Sequence, residues 1–325
     1  MKNISSIVVF ILLSQFVQAQ QRGVYSNYMM NKYYYNPAVA GSEDVHVVNL
    51  GYRNQWVGFD NAPVNINGNI YGSLRNEGKI GYGLSVTNES AGLTNATAVY
   101  LNYAQHFKLS EKLKLGLGVQ PGYLQYRVKL YDAILADEGD QVLTGSVYAA
   151  NAFDVNMGFN LYSKKFFVMG SVQHLLGRQI KFTSYNSNLQ FHYNFIAGYN
   201  FLFEKKKFEL QPSVFLKYTN PVPMQYSIML KGTYDSKYWL GLIYRSDDAV
   251  GVSLGMQLKK RLTIGYGYDF SVSKMRKYSS GSHEVMLSFI ITTKKPSLEE
   301  EDDKLNNSIL ENTQMESGSP EKTKK

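Results

Sequence analysis

Between Arg261 and Phe270 every second residue is large and apolar. Leu262, Ile264, Tyr266, Tyr268 and Phe270 share one face of a strand, and Arg261, Thr263, Gly265, Gly267 and Asp269 share the other. Successive β side chains point to opposite sides, so the first face suits an oily surround and the second a wet one. The alternation recurs along 189–203, where Leu189, Phe191, Tyr193, Phe195, Ala197, Tyr199, Phe201 and Phe203 alternate with Gln190, His192, Asn194, Ile196, Gly198, Asn200 and Leu202. A soluble sandwich also alternates, but seldom for so long, with so many Tyr and Phe, in so many segments. The pattern predicts an all-β chain folded as a transmembrane outer-membrane β-barrel, with lipid outside and water within.

A single closed barrel can use most of the 325 residues. The aromatic content of 14% is mainly Tyr and Phe, and Tyr suits both interface girdles and lumen walls. With no Cys there is no disulfide framework and no thiolate metal site. Residues 1–19 read as a signal peptide: Lys2, an apolar core over Ile7–Leu13, then Val17-Gln18-Ala19 as a small-residue cleavage pattern. No run of about 18 apolar residues offers a spanning helix. The formal charge of +8 is spread over turns and strands without a cluster interleaved with stacking aromatics, which excludes nucleic acid as a partner.

About fourteen antiparallel strands are expected, roughly 45–55, 63–74, 79–88, 95–107, 112–127, 151–162, 165–174, 189–204, 206–218, 225–235, 237–246, 249–259, 261–272 and 282–294. Tight polar turns such as Ser163-Lys164, Lys205 and Lys260 alternate with longer links at 56–62, 89–94, 128–150, 175–188, 219–224 and 273–281. Short turns belong in the periplasm and longer links outside, and an even count puts both termini in the periplasm. Lys114 and Lys217 fix the wet face, because a Lys at the bilayer midplane costs about 2–4 kcal/mol. Lumen glycines (Gly81, Gly83, Gly116, Gly118, Gly251, Gly255) leave room for something inside. Residues 45–295 form the barrel in this reading. Residues 20–44, too irregular for a strand and too aromatic for water, form either a plug in the lumen or a lid beneath it. The acidic and polar stretch 296–325 is expected to be a disordered periplasmic tail.

Catalytic and cofactor patterns are missing. The five His stand alone, without the paired spacing of a zinc helix. Gly116-Leu117-Gly118-Val119-Gln120-Pro121-Gly122 has the wrong spacing for a dinucleotide loop and lies inside a strand. Ser282-His283-Glu284 is the one tempting triplet, but adjacent strand residues face opposite ways, which excludes a local triad. The expectation is a protein that is not an enzyme, with no cofactor and no metal.

Several segments together resemble the PorP/SprF family of type IX secretion system membrane proteins. They are Tyr35-Asn36-Pro37-Ala38-Val39-Ala40-Gly41, then Tyr52-Arg53-Asn54-Gln55-Trp56 with Ala62-Pro63. Later come Trp239-Leu240-Gly241, Tyr244-Arg245 with Asp248-Ala249, Gly265-Tyr266-Gly267-Tyr268-Asp269, and Gly281-Ser282-His283-Glu284-Val285-Met286-Leu287. The resemblance implies an outer-membrane barrel of Bacteroidetes-type bacteria that assists secretion or surface anchoring of cargo, notably gliding adhesins exported by a C-terminal domain. It also implies contact with other type IX secretion components, and it supplies no catalytic residues. A lumen of about fourteen strands is too narrow for folded cargo. The expected role is therefore a receptor or anchor at the outer mouth, with Tyr126, Tyr131, Tyr148 and Tyr185 as contact aromatics. The alternative is an outer-membrane channel or hydrophobic-solute transporter with an N-terminal hatch.

Overall fold

Antiparallel hairpins built from the alternating segments close into one ring. The computed structural model describes residues 23–74, 79–129, 147–176, 179–181 and 186–291. The leader expected at 1–19 and the tail expected at 296–325 lie outside them. The strands are β1 (His46–Asn54), β2 (Val64–Leu74), β3 (Ile80–Ala91), β4 (Thr94–Lys108), β5 (Lys114–Lys129), β6 (Val147–Tyr162) and β7 (Phe166–Gln173). After a small separate hairpin of β8 (Gln179–Lys181) and β9 (Asn186–Asn188) come β10 (His192–Tyr199), β11 (Phe201–Phe203), β12 (Phe208–Thr219) and β13 (Val222–Tyr234). The remaining strands are β14 (Tyr238–Arg245), β15 (Ala249–Leu258), β16 (Leu262–Ser271) and β17 (Ser282–Ile291). Each pairs with its sequence neighbour, β10 spans from β7 to β12, and β1 pairs with β17. With β10 and β11 as two pieces of one stave, the wall is a closed barrel of fourteen antiparallel strands. Closure removes the exposed edges that an open sheet would present.

The faces divide as the alternation requires. Leu50, Ile66, Leu84, Leu101, Leu117, Phe153, Ile228, Leu242, Leu254, Phe270 and Leu287 are exposed on the outer face. The alternate residues Asn49, Asn67, Asn69, Asn102, Gln120, Asn156, Asn194, Lys217 and Asp269 are buried inside. A soluble domain reverses this arrangement. Leu101, 64% exposed and midway along β4, supplies a test. Leu101→Arg is expected to lower the unfolding free energy in liposomes by about 2–4 kcal/mol, the cost of a cation at mid-bilayer. Were that face in water, the same change would cost no more than about 0.5 kcal/mol.

Three expectations about links and strands need correction. The stretch read as one strand over 189–204 breaks at Asn200, whose amide donates to the Lys165 carbonyl (2.6 Å) instead of continuing the ladder. β11 beyond it pairs only with β12 and lies at the rim, so even Leu202, assigned to the inner face, is 55% exposed. The links at 89–94 and 219–224 shrink to two residues each. Ala91 already pairs with Thr94 around Gly92 (φ 57°), and Thr219 pairs with Val222 around Asn220-Pro221. β5 and β6 also extend past their expected ends, to the pair Lys129–Val147. The rim opposite the short turns keeps longer links at 55–63, 174–191 and 272–281, and residues 130–146 between β5 and β6 lie outside the described set.

Candidate functional site

What the wall encloses is its own N-terminal segment. Gly118 and Gly81, on the inner faces of β5 and β3, show how close the approach is. A Cβ at Gly118 would fall 2.4 Å from the Ala38 nitrogen, and one at Gly81 1.9 Å from the Ala40 oxygen. Backbone therefore lies on backbone where the wall has no side chain. Gly83 and Gly116 likewise border this segment, whereas Gly251 and Gly255 make room for the wall's own Asp269 and Trp239.

Local capping folds the segment into two short helical turns. Asn31 Oδ1 accepts from the Tyr34 amide (3.2 Å) at the start of α1 (Lys32–Tyr35), and Asn36 Oδ1 accepts from the Ala38 amide (2.9 Å) before the 3-10 turn Pro37–Val39. Asn36 also ties this turn to the wall, donating from Nδ2 to the Phe159 (2.7 Å) and Gly170 (3.1 Å) carbonyls. The Pro37 carbonyl accepts from Asn102, and His106 Nε2 meets the Ala40 carbonyl at 2.7 Å. Gly41, at φ 81° and 2.6 Å from the Gly81 Cα by its would-be Cβ, turns the chain out toward β1.

Tyrosines fill the space between segment and wall. Tyr25, Tyr28, Tyr33, Tyr34 and Tyr35 are all buried with Met169, Ile196, Phe215 and Met229. Tyr35 packs edge-on against Phe215 (4.8 Å between ring centres), and its hydroxyl accepts from the Tyr25 amide (2.8 Å). The Lys32 amine lies 4.4 Å above the Phe167 ring.

At the long-link end the segment is held by charge. Ser26 sits among Arg53 (β1), Arg245 (β14), Asp269 (β16) and Glu284 (β17), all buried. Its hydroxyl donates to Asp269 (2.6–2.7 Å) and accepts from Arg53 (3.0 Å) and Arg245 (2.9 Å). The amides of Ser26 and Asn27 donate to the two oxygens of Glu284 at 2.6 and 2.8 Å. Arg53 pairs with Asp269 (2.7 Å) and Glu284 (3.2 Å); Arg245 pairs with Asp248 (2.8 Å) and Asp269 (3.3 Å). Two cations thus face three carboxylates, and the surplus negative charge is met by two backbone amides and a hydroxyl. Arg53 and Glu284 are also register partners across β1 and β17, the pair that closes the ring. The latch and the seam are one structure.

The other motif residues support this corner. Trp56 (φ 54°) donates its amide to Ser282 Oγ (3.1 Å), and Gln55, next to Asn54 at the end of β1, donates its amide to the Pro63 carbonyl (2.9 Å). Gly281 takes φ 118° against the Tyr268 ring. Ser282 and Glu284 face inward while His283 faces out to the Tyr266 hydroxyl (2.7 Å). Of the remaining His, His46 is hydrogen-bonded to Tyr82, His174 to Asp154 and His192 to Thr219. Among the described residues no three metal-ligating groups converge.

Of the four expected contact tyrosines, Tyr126 has its side chain among those described. Tyr126 is half-buried on β5 beside Ala150, Val128 and Leu189. Tyr148 lies on β6 opposite Val128, and Tyr131 and Tyr185 fall outside the described residues. Two further aromatics, Phe59 and Tyr278, are exposed at the long-link rim. The 55–63 and 272–281 links are joined through Val57 amide to Gly281 carbonyl and Ser280 amide to Val57 carbonyl, both 2.8 Å. That joined platform presents Phe59 and Tyr278, 48% and 67% exposed. Sequence reasoning passed over both, since a single aromatic in a link has no periodicity to mark it.

Residues 17–289 match the model of the family described as type IX secretion system membrane protein PorP/SprF. No curated protein matches the chain. Among solved structures, the CymD monoaromatic hydrocarbon channel is similar at 10% identity and TM-score 0.47, covering 84% of this chain and 94% of that one. The Pseudomonas putida toluene transporter TodX is similar at 8% identity and TM-score 0.45, covering 83% and 95%. The Acinetobacter baumannii outer membrane protein Omp33 is similar at 8% identity and TM-score 0.44, covering 77% and 100%.

Proposed function

Since the chain belongs to the PorP/SprF family of type IX secretion system membrane proteins, we propose that it is a non-enzymatic holdfast. In this reading it retains a secreted cargo protein, such as a gliding adhesin, at the outer mouth of a barrel that is itself no conduit. The observation that supports this is the lumen: its inward side chains are buried against residues 24–41, and Ser26 and Asn27 hydrogen-bond to a buried cluster of ion pairs on the wall. A diffusion channel, the second reading, needs continuous water along the axis.

The cargo surface in this proposal is the platform of Phe59 and Tyr278. Exposed aromatics on a hydrogen-bonded support lose little conformational freedom on binding, and such residues dominate interface energies. The test is the double variant Phe59→Ala/Tyr278→Ala. Loss of about 2 kcal/mol or more per hot spot is the scale expected. Cargo should then shift from the cell surface to the culture medium while the barrel still inserts. Unchanged surface display would remove the platform from the proposal. Cargo that never leaves the cell would instead point to a role in export.

A further inference from the structure

We infer that residues 23–41 thread the lumen with Gly23 at the outer side of the membrane, so that the described chain runs inward from the cell exterior before it enters β1. The expectation from strand parity, that the N-terminus stays in the periplasm with the C-terminus, considers only where β1 begins. It leaves out the direction in which the segment before β1 runs.

The contacts fix that direction. Asp44 lies beside Ser73 (2.7 Å), near the end of β2, and Gly41 lies on Gly81 at the start of β3. Both are at the rim where the short turns 163–165, 204–207, 235–237 and 259–261 gather. Moving back along the chain, Ala38 lies on Gly118 and Asn36 reaches the Gly170 carbonyl, within the wall. Ser26 then meets Arg53, Arg245, Asp269 and Glu284, at the opposite ends of β1, β14, β16 and β17. Gly23 lies on Asn65, the second residue of β2 on the long-link side, where a Cβ would fall 1.8 Å from Asn65 Nδ2. The segment therefore runs the full height of the barrel, with its earlier residues at the long-link rim. Ile291, the end of β17, is at the short-turn rim. The two ends of the described chain lie on opposite sides. The inference rests on the proposed orientation, short turns in the periplasm.

Absence of Cys allows a clean test. One full-length version carries an epitope inserted between Arg22 and Gly23, and another carries it in the Lys205–Lys207 turn. Antibody should stain intact cells with the first version and only permeabilised cells with the second. If neither stains intact cells, Gly23 does not face the exterior and the inference is overturned. If the turn epitope stains intact cells, the assumed orientation is wrong and Gly23 faces the periplasm. Threading itself is read separately with Gly23→Cys/Asn65→Cys. The pair should form a disulfide in the oxidising periplasm, seen as thiols blocked to maleimide until reduction. Thiols that stay free in an inserted, heat-modifiable barrel would overturn threading whatever the orientation.

Discussion

Arg53→Ala should cost about 3–5 kcal/mol of barrel stability, the scale for removing one member of a buried ion pair. Arg53 is 1% exposed and serves Ser26, Asp269 and Glu284 together. Its loss leaves three carboxylates, Asp248, Asp269 and Glu284, with Arg245 as the one remaining cation of the cluster. Arg53→Lys should fall between wild type and Ala, since an ammonium keeps the charge but not the fork that reaches two carboxylates. Thermal unfolding in detergent, followed by the heat-modifiable shift on gels, measures the series. The exposed pair Lys108–Glu111 is the control, and Lys108→Ala should leave the transition where it is. The double variant Arg53→Ala/Glu284→Ala should be less unstable than the sum of its parts, because the second change removes a stranded charge. Strict additivity would mean that the latch is no unit.

Excising residues 24–40 should have a larger effect still. The excision removes five buried tyrosines together with the Ser26 hydroxyl and the two amides that serve Glu284. A single buried Phe-to-Ala truncation costs roughly 3–5 kcal/mol, so the loss should exceed any point substitution in the wall. The damage should fall first on the β1–β17 seam, because Arg53 and Glu284 face each other there. Hydrogen exchange should rise in β1 and β17 before it rises in β4 and β5, whose long ladder needs no help from the latch. Uniform exchange around the ring would dissociate the seam from the segment.

The wall was legible in the sequence because its cause is local. A period of two, with Lys114 and Lys217 on one side and Leu and Phe on the other, sets which face meets lipid regardless of anything distant. Strand ends were less legible. Gly92 and Asn220-Pro221 close two-residue turns that read as loops, and Asn200 interrupts a stave whose alternation continues through it. The site was legible only as fragments. Arg53, Arg245, Asp269 and Glu284 stood in separate motifs, up to 231 positions apart in the ion pair Arg53–Glu284. One signal was available: all four are charged, all fall on inner faces, and all lie near the same rim. A barrel interior cannot leave such groups unpaired, so matched signs at one height imply a cluster. Ser26 gave no such signal, since a serine in an irregular stretch carries no periodicity and no charge.

Residues 24–41 stop the lumen, held there by hydrogen bonds to the buried charges of Arg53, Arg245, Asp269 and Glu284. Planar-bilayer current from the purified full chain tests it most directly, with the chain lacking residues 24–40 alongside. The full chain should be silent at moderate voltage and the excised chain should conduct steadily. A steady current of the same size from both would contradict the claim.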